Sequence, residues 1–264
     1  MVGPLLGLAG YELLQHRIRP LLLIAVAPAV LSVLLVRLVR EEPVPTATAR
    51  GPAPRRRGAP LPTAYRRTVG VLVLAALVNS PDALLLLRVQ QVTHSLVFVI
   101  VAYAAYNLVY ALLSYPAGIV ADRLGPARVY ALGLGFFAVA YAGLALTTSS
   151  VAIVALLLLY GGYPALTDGV GKAWVSGLVP AEMQGRAQGL FQGGTGAAVL
   201  LAGLWAGLAW NGTGRLPLLV SGVTTALVAL ALAAPATRRW LGGGSGGGVQ
   251  EGAAGIGHTR RATP

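Results

Sequence analysis

The sequence contains no cysteine, and only 11% of its 264 residues are charged. Without cysteine the chain can form neither a disulfide framework nor a thiolate metal site, and a cysteine nucleophile is excluded. Soluble domains carry about 25% charged residues, so a chain this poor in charge cannot cover a water-exposed surface with polar groups. With 56% hydrophobic residues and a mean hydropathy of +0.71, the composition predicts an integral membrane protein surrounded mainly by lipid.

Acidic residues are scarce as well, with 8 Asp and Glu against 20 Lys and Arg. The net charge of +12 could indicate nucleic-acid binding, but the bases are concentrated in connections and in the tail. Two groups stand out: Arg50, Arg55, Arg56, Arg57, Arg66 and Arg67, and then Arg238, Arg239, Arg260 and Arg261. Positive charges beside membrane spans are typical of the cytoplasmic side. We therefore expect membrane lipid as a partner and no nucleic acid.

Seven segments are long and apolar enough to cross a bilayer, which takes about 20 residues. They cover 20–39, 67–90, 95–117, 128–147, 151–176, 187–210 and 216–236. Most basic residues fall in alternate connections, at 40–66, 118–128 and 178–186 and after 236. This alternation predicts a multi-pass protein of the cell membrane with a cytoplasmic C-terminus.

Four of the seven spans carry polar side chains at helical spacing, which costs free energy unless they face protein or a water-filled cavity. These stripes contain Asn79, Asp82 and Gln90; Tyr103, Asn107 and Tyr110; Asp168 and Lys172; and Gln188 and Gln192. We expect these residues to line the pathway of a small-molecule solute. The spans at 20–39, 128–147 and 216–236 lack such stripes and are predicted to be scaffold.

Several of these residues also have a purely structural interpretation. Tyr103 can anchor its helix at the membrane interface, and Asn107 can bond to a neighbouring helix. Asp168 and Lys172 lie four residues apart and can form an ion pair with a structural or gating role. Arg88 is expected to extend towards the lipid headgroups rather than to bind a solute.

Two connections contain recognisable motifs. The first has the pattern G-x-x-x-D-R-x-G-x-x-R, which we interpret as a charged turn between two apolar helices; its residues are Gly118, Asp122, Arg123, Gly125 and Arg128. The second has the pattern P-x-E-x-x-G-R-A-x-G-L over residues 180–190. The first resembles the signature loop of the major facilitator superfamily, except that Pro126 and Ala127 stand where the family usually carries two further bases. The second resembles a turn that closes the fourth or tenth helix in that superfamily.

The resemblance implies an all-α membrane protein of twelve helices in two six-helix halves. The G-P-x-x-G pattern at 3–7 is similar to an element of the family's fifth helix. The chain would then comprise the end of the N-terminal half (1–39), the central cytoplasmic loop (40–66), the C-terminal six-helix half (67–236) and a disordered Gly-rich cytoplasmic tail (237–264). It would lack four and a half helices. The alternative is a complete seven-span protein with a re-entrant N-terminus.

The resemblance also implies a secondary transporter that moves a solute by alternating access, without a cofactor or metal and with gating by the signature loop. Protons are the expected driving ion, and efflux by antiport is an expectation at superfamily level alone. Asp82 is the candidate proton site because intramembrane acids commonly mark such pathways, although it could simply accept hydrogen bonds from Asn79 or a neighbouring helix. No catalytic motif indicates an enzyme. A non-transporting remnant, or a half-transporter that needs a partner half, remains as the alternative function.

Overall fold

The computed structural model describes residues 60–242 without interruption, together with isolated helical residues at 10, 13, 23, 26, 28, 30–32, 34 and 35. The predictions for the span at 20–39, for the loop before residue 60 and for the tail beyond residue 242 lie outside this continuous part. Within it the chain is α-helical, with one 3-10 turn and no β-strand.

Between residues 60 and 242 lie α1 (Thr63–Leu77), α2 (Asp82–Thr93), α3 (Leu96–Leu124), α4 (Pro126–Leu146), α5 (Ser150–Gly177), α6 (Gln184–Leu208), α7 (Arg215–Ala233) and α8 (Pro235–Gly242). Six stretches of this part are long and apolar enough to cross a membrane; α1 and α2 together form the first, and α3 to α7 the others. The predicted all-α membrane bundle is thereby confirmed.

The first span is interrupted, whereas the sequence predicted one helix over 67–90. Helix α1 ends at Leu77, and α2 begins only at Asp82. Pro81 has no backbone N–H to donate, and it disfavours the helical conformation for the residue before it. The chain therefore leaves the helix at 78–81 and resumes it directly after the proline, which brings polar backbone into the middle of a membrane span.

The signature segment is mostly helix, which corrects its interpretation as a charged turn. Helix α3 continues to Leu124, so Gly118, Asp122 and Arg123 belong to its last turns. The turn itself is Gly125, whose φ of 86° is a left-handed value that a side chain would strain. Pro126 then occupies the first position of α4, where its missing N–H breaks no helical hydrogen bond.

The start of the predicted disordered tail is also helical. Helix α8 covers Pro235–Gly242. The Arg67 guanidinium donates a 3.0 Å hydrogen bond to the Trp240 carbonyl and lies 4.9 Å from the centre of that indole, while Leu241 is buried. These contacts hold α8 against α1. Its residues from 237 onward therefore belong to the folded part of the chain, although composition alone assigned them to the disordered tail of 237–264.

Helix α4 lies at the centre of the described bundle, packed mainly against α5 and α7. Its apolar stretch is 61% buried, against 17% for α3 and 22% for α6. Close approach depends on glycine: a Cβ at Gly222 of α7 would lie 2.9 Å from the Ala142 nitrogen of α4. Three of the four spans with polar stripes are thus the least covered by this unit, whereas α5, the fourth, is 44% buried. The span at 128–147, predicted as scaffold, is the core of the unit.

The turns gather at two ends of the bundle. We call the end that contains the turns at Gly125 and 178–183 the basic end, because most of the described arginines are there: Arg66, Arg67, Arg123, Arg128, Arg186, Arg238 and Arg239. The opposite end contains the connections at 94–95, 147–149 and 209–214.

Candidate functional site

A polar pocket of about 410 Å³ opens between α1, α4, α5 and α6. This volume is within the range of about 300–1,000 Å³ that small-molecule sites occupy. Its polar lining consists of Asn79, Tyr163, Thr167, Asp168, Lys172, Gln192 and Thr195, with Tyr130 contributed by the central α4. Four predicted pathway residues, Asn79, Asp168, Lys172 and Gln192, therefore meet at one place. The last three of these are exposed, so they point away from the core of the six-helix unit, and we call the side of the unit on which they lie the open side.

The interruption of the first span lies at the edge of this pocket and is held by three helices. The Asn79 amide donates to the Tyr163 hydroxyl of α5. The Tyr141 hydroxyl of α4 donates to the Ser80 carbonyl at 2.7 Å, and the Ser80 hydroxyl lies 2.7 Å from that of Ser221 in α7. The polar groups released by the helix break thus find partners on α4, α5 and α7.

Asp82 is bound by two phenols directly after the break. One carboxylate oxygen accepts a 2.8 Å hydrogen bond from the Tyr106 hydroxyl of α3, and the other accepts from the Tyr160 hydroxyl of α5. Both rings are buried and meet edge to face with centroids 5.4 Å apart. Asp82 is nevertheless an exposed residue of the unit. The donors come from neighbouring helices, as the structural interpretation of Asp82 allowed, but Asn79 is not one of them.

Asp168 and Lys172 share the pocket without forming the predicted ion pair within the described residues. Asp168 instead accepts a 3.3 Å hydrogen bond from the Tyr110 hydroxyl of α3. The Gln188 amide ties α6 to α5 by donating 2.8 Å hydrogen bonds to the Lys172 carbonyl and the Ser176 hydroxyl. An exposed acid and an exposed base thus stand one helical turn apart in the lining of this pocket.

The remaining stripe residues do not reach this pocket. The Asn107 amide donates to the Tyr103 carbonyl of its own helix, at 2.8 Å. Gln90 lies at the opposite end of the span, where it lines a separate recess with Arg88 and His94. Of the signature residues, Gly118 and Asp122 line a second cavity of about 590 Å³ between α3 and α5 at the basic end.

Arg88 is buried instead of extended towards lipid headgroups, which corrects the sequence expectation. Its side chain is 6% exposed. It donates to the carbonyls of Leu144 and Thr213 at 3.3 Å each and of Thr147 at 3.5 Å. Carbonyls at the end of α4 carry the negative end of the helix dipole, which favours a cation there. Arg88 therefore joins the end of the first span to two other connections.

Sequence reasoning missed four residues that build the site: Tyr106, Tyr141, Ser80 and Ser221. Tyr106 lay one turn beyond Tyr103 in the sequence, and that spacing was the available signal. Nothing local to the sequence points to the pairing of Ser80 with Ser221.

Comparison with known proteins decides the family. The family model described as Major Facilitator Superfamily matches residues 68–249, which is more than half of the chain. The chain belongs to the major facilitator superfamily. As a member of the superfamily it is a multi-pass membrane protein of a transporter family, which points to transport rather than catalysis.

One superfamily relative is 28% identical over 218 residues and is named an uncharacterized MFS-type transporter of Methanocaldococcus jannaschii. The alignment covers 80% of this chain and 54% of that protein. The chain thus spans about half the length of the curated relative that it matches. No solved structure matches it significantly.

Proposed function

We propose that these six spans form one wall of a secondary transporter for a small solute, working by alternating access. The observation that carries the proposal is the placement of Asn79, Asp168, Lys172 and Gln192 around one pocket on the open side of the unit. A polar pocket is sustained in a bilayer only where it faces protein or water. A second six-helix half would complete the cavity, in which case 67–236 is the C-terminal half, 1–39 the end of the N-terminal half, 40–66 the loop between them and 237–264 the tail.

The open side of α6 supports this arrangement. A Cβ at Gly185, Gly189 or Gly193 would meet no atom within 4 Å. Helix α6 thus presents a smooth, small-residue surface where the other half would approach, and such surfaces allow membrane helices to pack closely.

The half-transporter proposal is tested by reconstituting the chain alone in liposomes. It should insert in a membrane and yet transport no solute, since its cavity has one wall. Solute uptake by the chain alone would contradict the need for a second half.

We also assign the proton coupling to Asp82, since it is an exposed acid that directly follows the helix break. In the complete transporter, Asp82→Asn should abolish solute accumulation driven by a pH gradient and leave solute exchange intact. Glu182→Gln, which removes an exposed acid from the turn before α6, is the matched control and should keep both activities. Accumulation that survives Asp82→Asn would make Asp82 a structural residue.

The remaining assignments follow the charge distribution. We propose that the basic end faces the cytoplasm of a cell membrane, with the C-terminus on that side and Asp122, Arg123 and Arg128 as gating residues there. Proton-driven efflux by antiport is the direction we propose.

A further inference from the structure

Helix α8, at the basic end of the bundle, has a basic side and an apolar side. At about 100° per residue, Arg238 and Arg239 lie on one side of this helix, and Trp240 and Leu241 lie on the other. Leu241 is buried against the bundle, whereas Trp240 is 48% exposed. Amphipathic helices with arginine on one side and tryptophan or leucine on the other lie in the membrane interface. We propose that α8 and the start of α1 form a binding site for the headgroup of an anionic phospholipid.

The two helices bring four arginines to this site, namely Arg66 and Arg67 of α1 and Arg238 and Arg239 of α8. The Arg67 guanidinium donates to the Trp240 carbonyl at 3.0 Å, which places the start of α1 directly beside α8. Arg66 and Arg239 are exposed. None of the four guanidinium groups forms an ion pair with a carboxylate of residues 60–242. The site therefore carries uncompensated positive charge, which attracts anionic lipids at a membrane surface.

Arg238 supplies the observation that points to a ligand. Its Nε atom is buried and has no hydrogen-bond partner among residues 60–242. A buried N–H group without an acceptor costs free energy, and the cost is larger when the group is charged. The residue as a whole is only half-buried, so part of its side chain reaches the surface. A phosphate there supplies the missing acceptor, because a guanidinium turned towards it donates from Nε and one Nη in parallel.

The position of α8 favours a lipid over free phosphate as the source of that group. Helix α7 ends at Ala233 and α8 begins at Pro235, so the arginines directly follow a membrane span and lie at the depth of the headgroups. The exposed part of Trp240 can contact an acyl chain of the same lipid, as tryptophan does at membrane interfaces. A bound headgroup would add a second link between α8 and α1, the first part of the broken span. This inference requires only that the basic end lies at a membrane surface, and it does not depend on transport.

The test is the quenching of Trp240 fluorescence by brominated lipids in nanodiscs that contain the full chain. Two series share a phosphatidylcholine background and receive increasing amounts of brominated lipid, which is phosphatidylglycerol in one series and phosphatidylcholine in the other. Both brominated lipids carry bromine at the same acyl-chain carbons, so they differ only in the headgroup. Because the chain has 4 tryptophans, the signal of Trp240 is the difference between the parent chain and Trp240→Phe. We expect half-maximal quenching at an at least about tenfold lower content of phosphatidylglycerol, since each arginine near the surface contributes a factor of about five.

Variants of the arginines test whether the charge of α8 causes this preference. Arg239→Gln changes an exposed residue and should reduce the preference about fivefold, and the double variant Arg238→Gln, Arg239→Gln should abolish it. The double variant Arg238→Lys, Arg239→Lys keeps both charges and should retain most of the preference. The matched control is Arg123→Gln, which removes an exposed arginine from the end of α3 at the same end of the bundle and should leave the preference unchanged. Quenching by brominated phosphatidylcholine reports whether Trp240 stays at the bilayer in each variant.

Equal quenching by the two lipids in the parent chain overturns the proposal. A loss of preference in Arg123→Gln as large as that in Arg239→Gln also overturns it, because the attraction would then depend only on the net charge of the basic end. Inorganic phosphate, compared with sodium chloride at the same ionic strength, should leave the quenching unchanged. If phosphate removes the preference, the arginines bind free phosphate instead of a lipid. Because none of these measurements involves transport, each of these results would leave the alternating-access proposal standing.

Discussion

The hydroxyls of Ser80 and Ser221 lie 2.7 Å apart, and both residues are fully buried. Ser80 belongs to the break in the first membrane span, and Ser221 to the middle of α7. The pair links the interrupted span directly to α7. The serine pair, which does not line the pocket, thus helps to position the helix break beside it.

Removing this contact should destabilise the protein. Ser221→Ala leaves the Ser80 hydroxyl buried without that partner, which should lower the free energy of unfolding by about 1–2 kcal/mol. The control is Thr224→Ala, because the Thr224 hydroxyl bonds to the Val220 carbonyl of its own helix and its loss should matter little. Thermal unfolding in detergent measures both. If both variants lose the same stability, the hydrogen bond between Ser80 and Ser221 stabilises the protein no more than a hydroxyl bonded within its own helix does.

Arg88 should contribute more to the free energy of unfolding than the serine pair does, because its buried guanidinium donates hydrogen bonds to three carbonyls. Arg88→Met keeps most of the volume and removes every donor, so we expect a loss of about 2–4 kcal/mol in unfolding free energy. Arg215→Met is the matched control, since Arg215 is exposed at the same end of the bundle. If the two variants unfold at the same temperature, Arg88 is not a structural link.

The membrane spans were predictable from sequence, whereas their mutual orientation was not. Hydropathy and length identify spans because lipid-exposed segments must be apolar and must satisfy their backbone hydrogen bonds internally, as a helix does. The tyrosines that bind Asp82 come from positions 24 and 78 residues away, and their contact depends on how α3 and α5 are rotated. The residue pattern of a single helix does not determine how that helix is rotated relative to its neighbours.

Arg88 and the helix break illustrate the two kinds of error. Snorkelling was a sound expectation for a lone arginine near a helix end, but carbonyls at the end of α4 offered a better partner, and these were invisible in the local sequence. The break, by contrast, had its signal in Pro81, which the long apolar segments on both sides of it concealed.

The orientation in the membrane gives a further prediction. Fusions of a reporter after residues 60 and 240 should report the cytoplasm, and fusions near 93, 149 and 212 the outside, because basic connections are retained inside. Paired reporters, one active only in the cytoplasm and one only outside, make each position its own control. A cytoplasmic signal at 149 would contradict the assigned topology.

The most direct test of the central claim is the reaction of introduced cysteines on α6 with a water-soluble, membrane-impermeant maleimide. The chain has no cysteine of its own, so each variant carries a single thiol. Gln192→Cys lies in the pocket, and Leu200→Cys is an exposed apolar position of the same helix outside it. If the polar side of α6 faces an aqueous solute pathway, Cys at 192 should react at least about tenfold faster than Cys at 200, since the maleimide reacts with thiols that water can reach. Equal protection of both positions in intact membranes would contradict the account.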